Sequence, residues 1–346
     1  MAEVTLAILG LERLGTSFGL ALKRYMGNKD ARHAFTILGF DQRGYNGKKA
    51  KQLGAVDNFV RGELDAVQNA HVVVLTMPYY QVKDVYEIIG PNLKPGTVIL
   101  DTSPLKTPSI EWARANLPHE PEIAAYMVGV TPILNPDVLI DPNLEVDGAR
   151  ADLFDKGTMI LAPAPDCPPE AVQLASELAY ILGTAVHFMD PAEHDGLIAA
   201  MEGLPAILGA SLFRTISGAD AWDDLRRMAN PSFGLATHHL RFQHPDSLWS
   251  LLQYNRENVA RYLGQLIETL DALRDSLLND EEGLALEAVL VDGATKYEEW
   301  EGHRLANRWE AQPDEAVPSE GFMSTMGGML FGRHPRRKDD NAARKD

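Results

Sequence analysis

The stretch that most constrains this chain is its beginning, where a short apolar run meets a glycine turn and then a helical pattern. Val4–Leu9 is apolar and stops at Gly10, which predicts a buried strand. The helical pattern opens near Arg13 and continues to about Tyr25. This order begins the βαβ unit that binds dinucleotides, because a helix N-terminus presents N–H groups and a favourable dipole to a phosphate.

The glycine pattern of this turn is incomplete. The fingerprint G-x-G-x-x-G requires glycine at the second position, to let the backbone approach the pyrophosphate, but Glu12 stands there. Glu12 adds bulk and a like charge, which Arg13 next to it can offset. A plain βα turn without a ligand is the alternative. We expect the turn to bind the cofactor through Gly10, Leu11, Arg13, Leu14 and Gly15.

The second strand of the unit ends in an acid. Phe35–Asp41 is a buried-strand pattern, and a carboxylate at this place accepts hydrogen bonds from the adenosine ribose and repels a 2′-phosphate. We therefore predict NAD as the cofactor and NADP as the poorer one, although Arg43 weakens the discrimination. The alternative is that Asp41 only caps the following turn.

Composition excludes several classes of function. A chain of 346 residues is long enough for two domains, and its 45% hydrophobic content is that of an ordinary soluble protein. A net charge of −17 argues against binding nucleic acid. We expect no membrane-spanning run and no metal site. The single cysteine, Cys167, excludes an internal disulfide and predicts a cytoplasmic location.

The order of the remaining elements predicts an α/β fold, a Rossmann-type mainly parallel sheet followed by an all-helical C-terminal domain. One buried run ends at Met77 and Pro78, which we expect at the ligand-binding edge of the sheet. The predicted domains are residues 1–165 for the dinucleotide and 166–311 for substrate and dimerisation. Residues 312–346 are predicted to be a disordered tail. The Leu-rich and Ala-rich helices predict a homodimer.

Four stretches occur in a recognisable order: GLERLG, DTSPLK (Asp101–Lys106), VGVTP (Val128–Pro132) and the run from Glu193 to Leu212. Together they resemble the prephenate and arogenate dehydrogenases of tyrosine biosynthesis, over about residues 4–278. The resemblance implies a small-molecule substrate, a nucleotide-binding domain and a helical dimerisation domain. It also implies oxidation of a ring alcohol by hydride transfer to NAD(P)+, with loss of the ring carboxylate as CO2.

The chain departs from this family at its histidines. Thr131 stands where the family has histidine in G-x-H-P-M, and residues 202–206 read EGLPA where the family reads S-H-L-P-H. Pro104 aligns with the family's serine, with Ser103 one place earlier. The resemblance leaves His194, Thr131 and Lys106 as catalytic candidates, and Ser103 and Arg241 as substrate-binding candidates. The alternative for His194 is a structural bond across the domain interface.

Three hypotheses follow from these residues. The first is a prephenate dehydrogenase-like, NAD-dependent oxidoreductase. The second is an NAD-binding oxidoreductase that acts on a different hydroxy acid in the same cleft. The third is a nucleotide-binding regulator that has kept the fold and lost catalysis, which Glu12 in the phosphate turn favours.

Overall fold

An eight-stranded sheet organises the first half of the chain. The computed structural model describes residues 2–138, 143–281 and 283–306, and the predicted tail, 312–346, lies outside these residues. The strand order is β3-β2-β1-β4-β5-β6-β7-β8. The strands are β1 (Ala2–Leu9), β2 (His33–Phe40), β3 (Asn58–Phe59), β4 (Val72–Leu75), β5 (Val98–Asp101), β6 (Tyr126–Ile133), β7 (Thr158–Pro163) and β8 (Ala185–Phe188).

The predicted mainly parallel sheet is confirmed. Every neighbouring pair is parallel except β6 and β7, which pair antiparallel. Residues 6–9 of β1 are fully buried because helices cover both faces of the sheet, and this explains their continuous apolar sequence. The carboxyl ends of β1, β2, β4 and β5 meet at one edge, so the residues that follow these strands come together there.

Six helices pack on the two faces of the sheet. They are α1 (Arg13–Met26), α2 (Gly44–Gln52), α3 (Glu63–Val67), α4 (Tyr79–Ile89), α5 (Lys106–Asn116) and α6 (Pro169–Leu182). One core joins α1 and α6 to the sheet, and a second joins α3, α4 and α5 to its other face. Helix α6 packs on this sheet and β8 pairs with β7, so both elements lie beyond the predicted domain boundary at residue 165.

The second half is helical, as predicted. Its helices are α7 (Pro191–Ile198), α8 (Leu204–Ser217), α9 (Trp222–Leu225), α10 (Pro231–Ala236), α11 (His239–Phe242), α12 (Pro245–Tyr254), α13 (Arg256–Asn279) and α14 (Leu284–Leu305). Helices α12 and α13 are separated at Asn255, which leaves the helical conformation. The side-chain Nδ2 of Asn255 donates to the carbonyl oxygen of Asp195 at 2.7 Å. This hydrogen bond connects the start of α13 to α7.

Residues Pro191–Ser217 form one continuous helical stretch, in which a π-helical turn, Ala199–Gly203, joins α7 to α8. The stretch is 27 residues long, and by length and composition alone it could cross a membrane. The core helices of soluble proteins pass the same test, so the expectation that the chain spans no membrane stays a prediction. Only Ala206 and Gly209 of α8 are buried within the protomer, so this helix presents much apolar surface.

Candidate active site

A cleft of about 530 Å³ lies between the carboxyl edge of the sheet and the helical half. Its size is that of a small-molecule site, and it is walled by both halves of the chain. The side chains and backbone that line it include Gly10, Glu12, Asp41, Arg43, Met77, Pro78, Tyr79, Tyr80, Pro104, Glu145, Glu202, Arg241 and His244.

The glycine turn after β1 packs directly against the end of β4. Gly10 has a φ of +101°, and a Cβ built on it would lie 2.6 Å from the backbone nitrogen of Met77. A Cβ on Gly15 would overlap the carbonyl oxygen of Gly10 and the hydroxyl of Thr76. Both positions therefore require glycine because of close approach, independently of any ligand.

The N-terminus of α1 opens toward this turn. Its N-cap residue, Glu12, makes no side-chain capping bond, and the first turn of α1 carries no acid. Such a helix end keeps N–H groups without intrahelical partners and attracts an anion. The N–H of Arg13 donates to the carbonyl oxygen of Leu144 at 3.0 Å, and its guanidinium donates to that of Asn143 at 2.8 Å. The loop at residues 143 and 144 therefore occupies the N–H of Arg13, and the other N–H groups of this first turn are the ones that a dinucleotide phosphate could contact.

The acid at the end of β2 organises the neighbouring backbone. One oxygen of Asp41 accepts from the N–H of Leu11 at 2.7 Å, and the other accepts from the N–H of Arg43 at 2.8 Å and from Asn46 at 3.2 Å. Asp41 thus stabilises the turn into α2, as the capping alternative predicted, and also lines the cleft.

Arg43, and not Arg13, neutralises Glu12. Nη1 of Arg43 lies 3.2 Å from Oε1 of Glu12. Burial raises the pKa of Glu12, while Arg43 lowers it. The expectation that Arg13 offsets the charge was wrong because its guanidinium holds Asn143. The Glu12–Arg43 pair lies in the lining of the cleft.

Lys106 is fully buried, and its ammonium connects β5 to β6. Its ammonium donates to the carbonyl oxygens of Asp101 at 3.2 Å, Ser103 at 2.5 Å and Val130 at 2.8 Å. Burial lowers the pKa of Lys106 to about 8, opposed by Asp101 and Asp195. Because three carbonyls take all three ammonium hydrogens, Lys106 positions the loop that carries Ser103.

Thr131 and His194 meet across the boundary between the halves. Oγ1 of Thr131 lies 2.8 Å from Nε2 of His194, and Nδ1 of His194 lies 3.2 Å from Oδ1 of Asp195. Asp195 also accepts from the N–H groups of Lys106 and Thr107, the first two residues of α5. An anchored carboxylate beside Nδ1 favours the tautomer that carries its proton there, and in that tautomer Nε2 accepts from the Thr131 hydroxyl.

Burial keeps that imidazole neutral. His194 is 2% exposed, and this burial lowers its pKa below the ordinary value, in part offset by Asp195. A neutral imidazole hydrogen-bonded to a half-buried hydroxyl can accept a proton through that hydroxyl.

The π-helical turn places an acid in the cleft that sequence reasoning did not single out as functional. Glu202 lines the cleft wall, and its pKa is raised by burial and lowered by Lys106. The available signal was its position, because it replaces the serine of the family's S-H-L-P-H stretch. Ser103 is 5% exposed, and its buried hydroxyl has no hydrogen-bond partner within the described part of the chain.

The cleft thus collects part of the predicted site. Five of the predicted residues line it: Gly10, Asp41, Met77, Pro78 and Arg241. The others lie outside its lining: Leu11, Arg13, Leu14, Gly15, Ser103, Lys106, Thr131 and His194. Within the described residues, no group of three or more His, Cys, Asp or Glu side chains could hold a metal ion.

Two family models match consecutive parts of the chain. "Prephenate dehydrogenase, nucleotide-binding domain" matches residues 18–188, and "Prephenate dehydrogenase, dimerization domain" matches residues 190–290. The chain belongs to the prephenate dehydrogenase family. The first match ends at residue 188, where β8 also ends.

Relatives agree with this membership. A cyclohexadienyl dehydrogenase of Zymomonas mobilis is 24% identical over 82% of this chain and 91% of its own length. A prephenate dehydrogenase of Bacillus subtilis is 24% identical over 78% of this chain and 69% of its own length. The structure of a prephenate dehydrogenase from A. aeolicus with hydroxyphenyl propionate and NAD+ matches with a TM-score of 0.71 and 18% identity, over 86% of this chain and 99% of that one. This structural likeness concerns the fold.

Family membership indicates the class of reaction at this site. Members of the prephenate dehydrogenase family are NAD(P)-dependent oxidoreductases, and this member carries their nucleotide-binding domain. It differs from the family pattern where a histidine gives way to Thr131 and where a serine gives way to Glu202.

Proposed function

We propose that this chain is an NAD-dependent oxidoreductase that oxidises prephenate, with loss of CO2, in tyrosine biosynthesis. The observation that supports the proposal is the hydrogen-bonded chain Thr131–His194–Asp195, since Thr131, at the place of the family's histidine, connects to the buried imidazole of His194. NAD+ supplies the hydride acceptor when it is bound. The phosphate turn and Asp41 are the residues that would hold it.

The proton path in this proposal runs through Thr131. The 4-hydroxyl of the substrate gives its proton to Oγ1 of Thr131, which passes its own proton to Nε2 of His194. A threonine alone cannot serve as the base at neutral pH, because its hydroxyl is too weak an acid to form the alkoxide that would accept the proton. Asp195 favours the resulting imidazolium through its 3.2 Å contact with Nδ1. His194 is the base, and Thr131 relays the proton.

The carboxylates of the substrate require a cation and hydrogen-bond donors in the cleft. Arg241 lines the cleft, with an exposed side chain. The unpartnered hydroxyl of Ser103 is buried and lies outside the lining of the cleft. Lys106 supports this site by holding the carbonyl of Ser103, not by contacting substrate.

Glu202 favours a second candidate function. An acid in the wall of the cleft opposes a dicarboxylate such as prephenate, because the two charges repel each other at short range. The same hydride chemistry on a hydroxy acid with one carboxylate would avoid this repulsion.

The architecture supports three further parts of the proposal. Residues 2–188 form the nucleotide-binding domain, and the helices from residue 190 onward form the substrate and dimerisation domain. A homodimer is supported by the family's dimerization domain and by α14, in which no described residue is buried. A cytoplasmic location is supported by the single cysteine, Cys167.

The deciding experiment is a calorimetric titration with NAD+, followed by NADH absorbance with prephenate and with a panel of hydroxy acids. We expect saturable NAD+ binding and NADH formation with prephenate that Thr131→Val strongly reduces. Turnover only with another hydroxy acid selects the second candidate. NAD+ binding without any turnover selects the regulator hypothesis, and the absence of NAD+ binding rejects the proposal.

A further inference from the structure

The Glu12–Arg43 ion pair lies at the end of the cleft formed by α1 and the end of β2. Oε1 of Glu12 is 3.2 Å from Nη1 of Arg43, and both residues line the cleft. The Glu12 side chain is 31% exposed and that of Arg43 is 61% exposed, so the pair reaches from the turn out to solvent.

The charges at this end of the cleft are unequal. Three acids line it, namely Glu12, Asp41 and Glu145, and among the described lining residues there Arg43 is the one cation. A 2′-phosphate on an adenosine ribose adds about two negative charges and would need this guanidinium. A free 2′-hydroxyl needs only an acceptor, which Asp41 can supply.

We propose that Glu12 is a specificity-determining residue, which engages Arg43 and thereby makes the site select NAD over NADP. This inference rests on the proposed function, because it assumes that the cleft binds a nicotinamide dinucleotide. The glutamate that stands at the second glycine position of the fingerprint then contributes to the choice of cofactor. It pairs with the cation that a 2′-phosphate would require, so that this guanidinium is not available to the phosphate.

The test compares NAD+ and NADP+, which differ only in the 2′-phosphate, by calorimetric titration of the full chain. Glu12→Gln should raise the affinity for NADP+ relative to NAD+ about tenfold, since one charge-assisted contact becomes available to the phosphate. Glu145→Gln is the matched control. It removes the same charge from the same end without releasing Arg43, and should change the ratio by less than about twofold.

Substitution of Arg43 provides a second test. In the Glu12→Gln background, Arg43→Ala should abolish the gain in NADP+ affinity. In the wild-type background, where Glu12 already engages the guanidinium, Arg43→Ala should lower NADP+ affinity by less than about twofold. This test remains informative even if Glu12→Gln does not fold.

Three results would overturn the inference: an unchanged NAD+/NADP+ ratio in Glu12→Gln, an equal shift of the ratio in Glu145→Gln, or a large loss of NADP+ affinity in Arg43→Ala alone. A wild-type chain that binds neither dinucleotide would instead reject the proposed function.

Discussion

At the scale of single residues, the contact between Thr131 and His194 governs how this chain would remove a proton. Burial lowers the pKa of His194 below its ordinary value of 6.5, so the imidazole is a free base at neutral pH. Protonated His194 cannot accept the proton that Thr131 passes on. We therefore expect kcat to be constant around neutral pH and to fall as the pH drops below 6.5, measured as NADH formation across pH.

The variant that tests this residue is His194→Gln. It should lower kcat by about 10²–10⁴-fold, the usual contribution of a general base, and should remove the acid limb of the pH profile. NAD+ affinity should change little, since His194 lies outside the lining of the cleft. If the acid limb persists, the base is Glu202, whose pKa is raised by burial.

The residues of the site were only partly predictable. Asp41 and His194 could be selected from the sequence because each stands at a recognisable place in a pattern. The hydrogen bond between Thr131 and His194 joins residues 63 positions apart, so only the tertiary structure reveals it. The pairing of Glu12 with Arg43 likewise depends on how the end of β2 lies beside the turn after β1.

At the scale of elements, the packing of the first turn against β4 makes a prediction about stability. Gly10 and Gly54 both have positive φ, +101° and +79°. A Cβ at Gly10 meets the backbone of Thr76 and Met77 at 2.6 Å, whereas nothing lies within 4 Å of a Cβ at Gly54. We expect Gly54→Ala to cost about 1–2 kcal/mol of unfolding free energy, from backbone strain alone.

Gly10→Ala should cost roughly 1–3 kcal/mol more than Gly54→Ala, because β4 would have to move. Urea unfolding of the two variants beside the wild type measures the difference. Equal losses would mean that the turn relaxes away from β4, and the close approach would then not be what requires glycine at this position.

Elements with a strong local pattern were predictable, and those fixed by tertiary contacts were not. The buried strands are apolar throughout because both faces are covered, so their sequence alone identifies them. The break at Asn255 depends on a bond to Asp195, and the π-helical turn at Ala199–Gly203 leaves no mark in the apolar pattern. The predicted domain boundary came from a change in composition near Pro165, and composition does not reveal that α6 still packs on the sheet.

At the scale of the whole molecule, the two halves differ in how much of its apolar surface each buries within itself. The sheet and its helices enclose two apolar cores, whereas the long helices of the second half leave large side chains exposed. In α14 these include Leu284, Val289, Leu290 and Val291, each at least half exposed. An apolar surface of this extent is typical of an interface between subunits.

This surface predicts the behaviour of a charged variant. Leu290 is 64% exposed on α14, and burial against a second copy would make a glutamate there costly because the carboxylate would lose its hydration. We expect Leu290→Glu to convert a dimer of twice the chain mass into a monomer, measured by light scattering across a concentration series. The matched control is Ile88→Glu on α4, 44% exposed in the nucleotide-binding half, which should leave the mass unchanged. A wild-type chain that remains monomeric at every concentration, or equal effects of the two variants, would show that α14 does not form the interface.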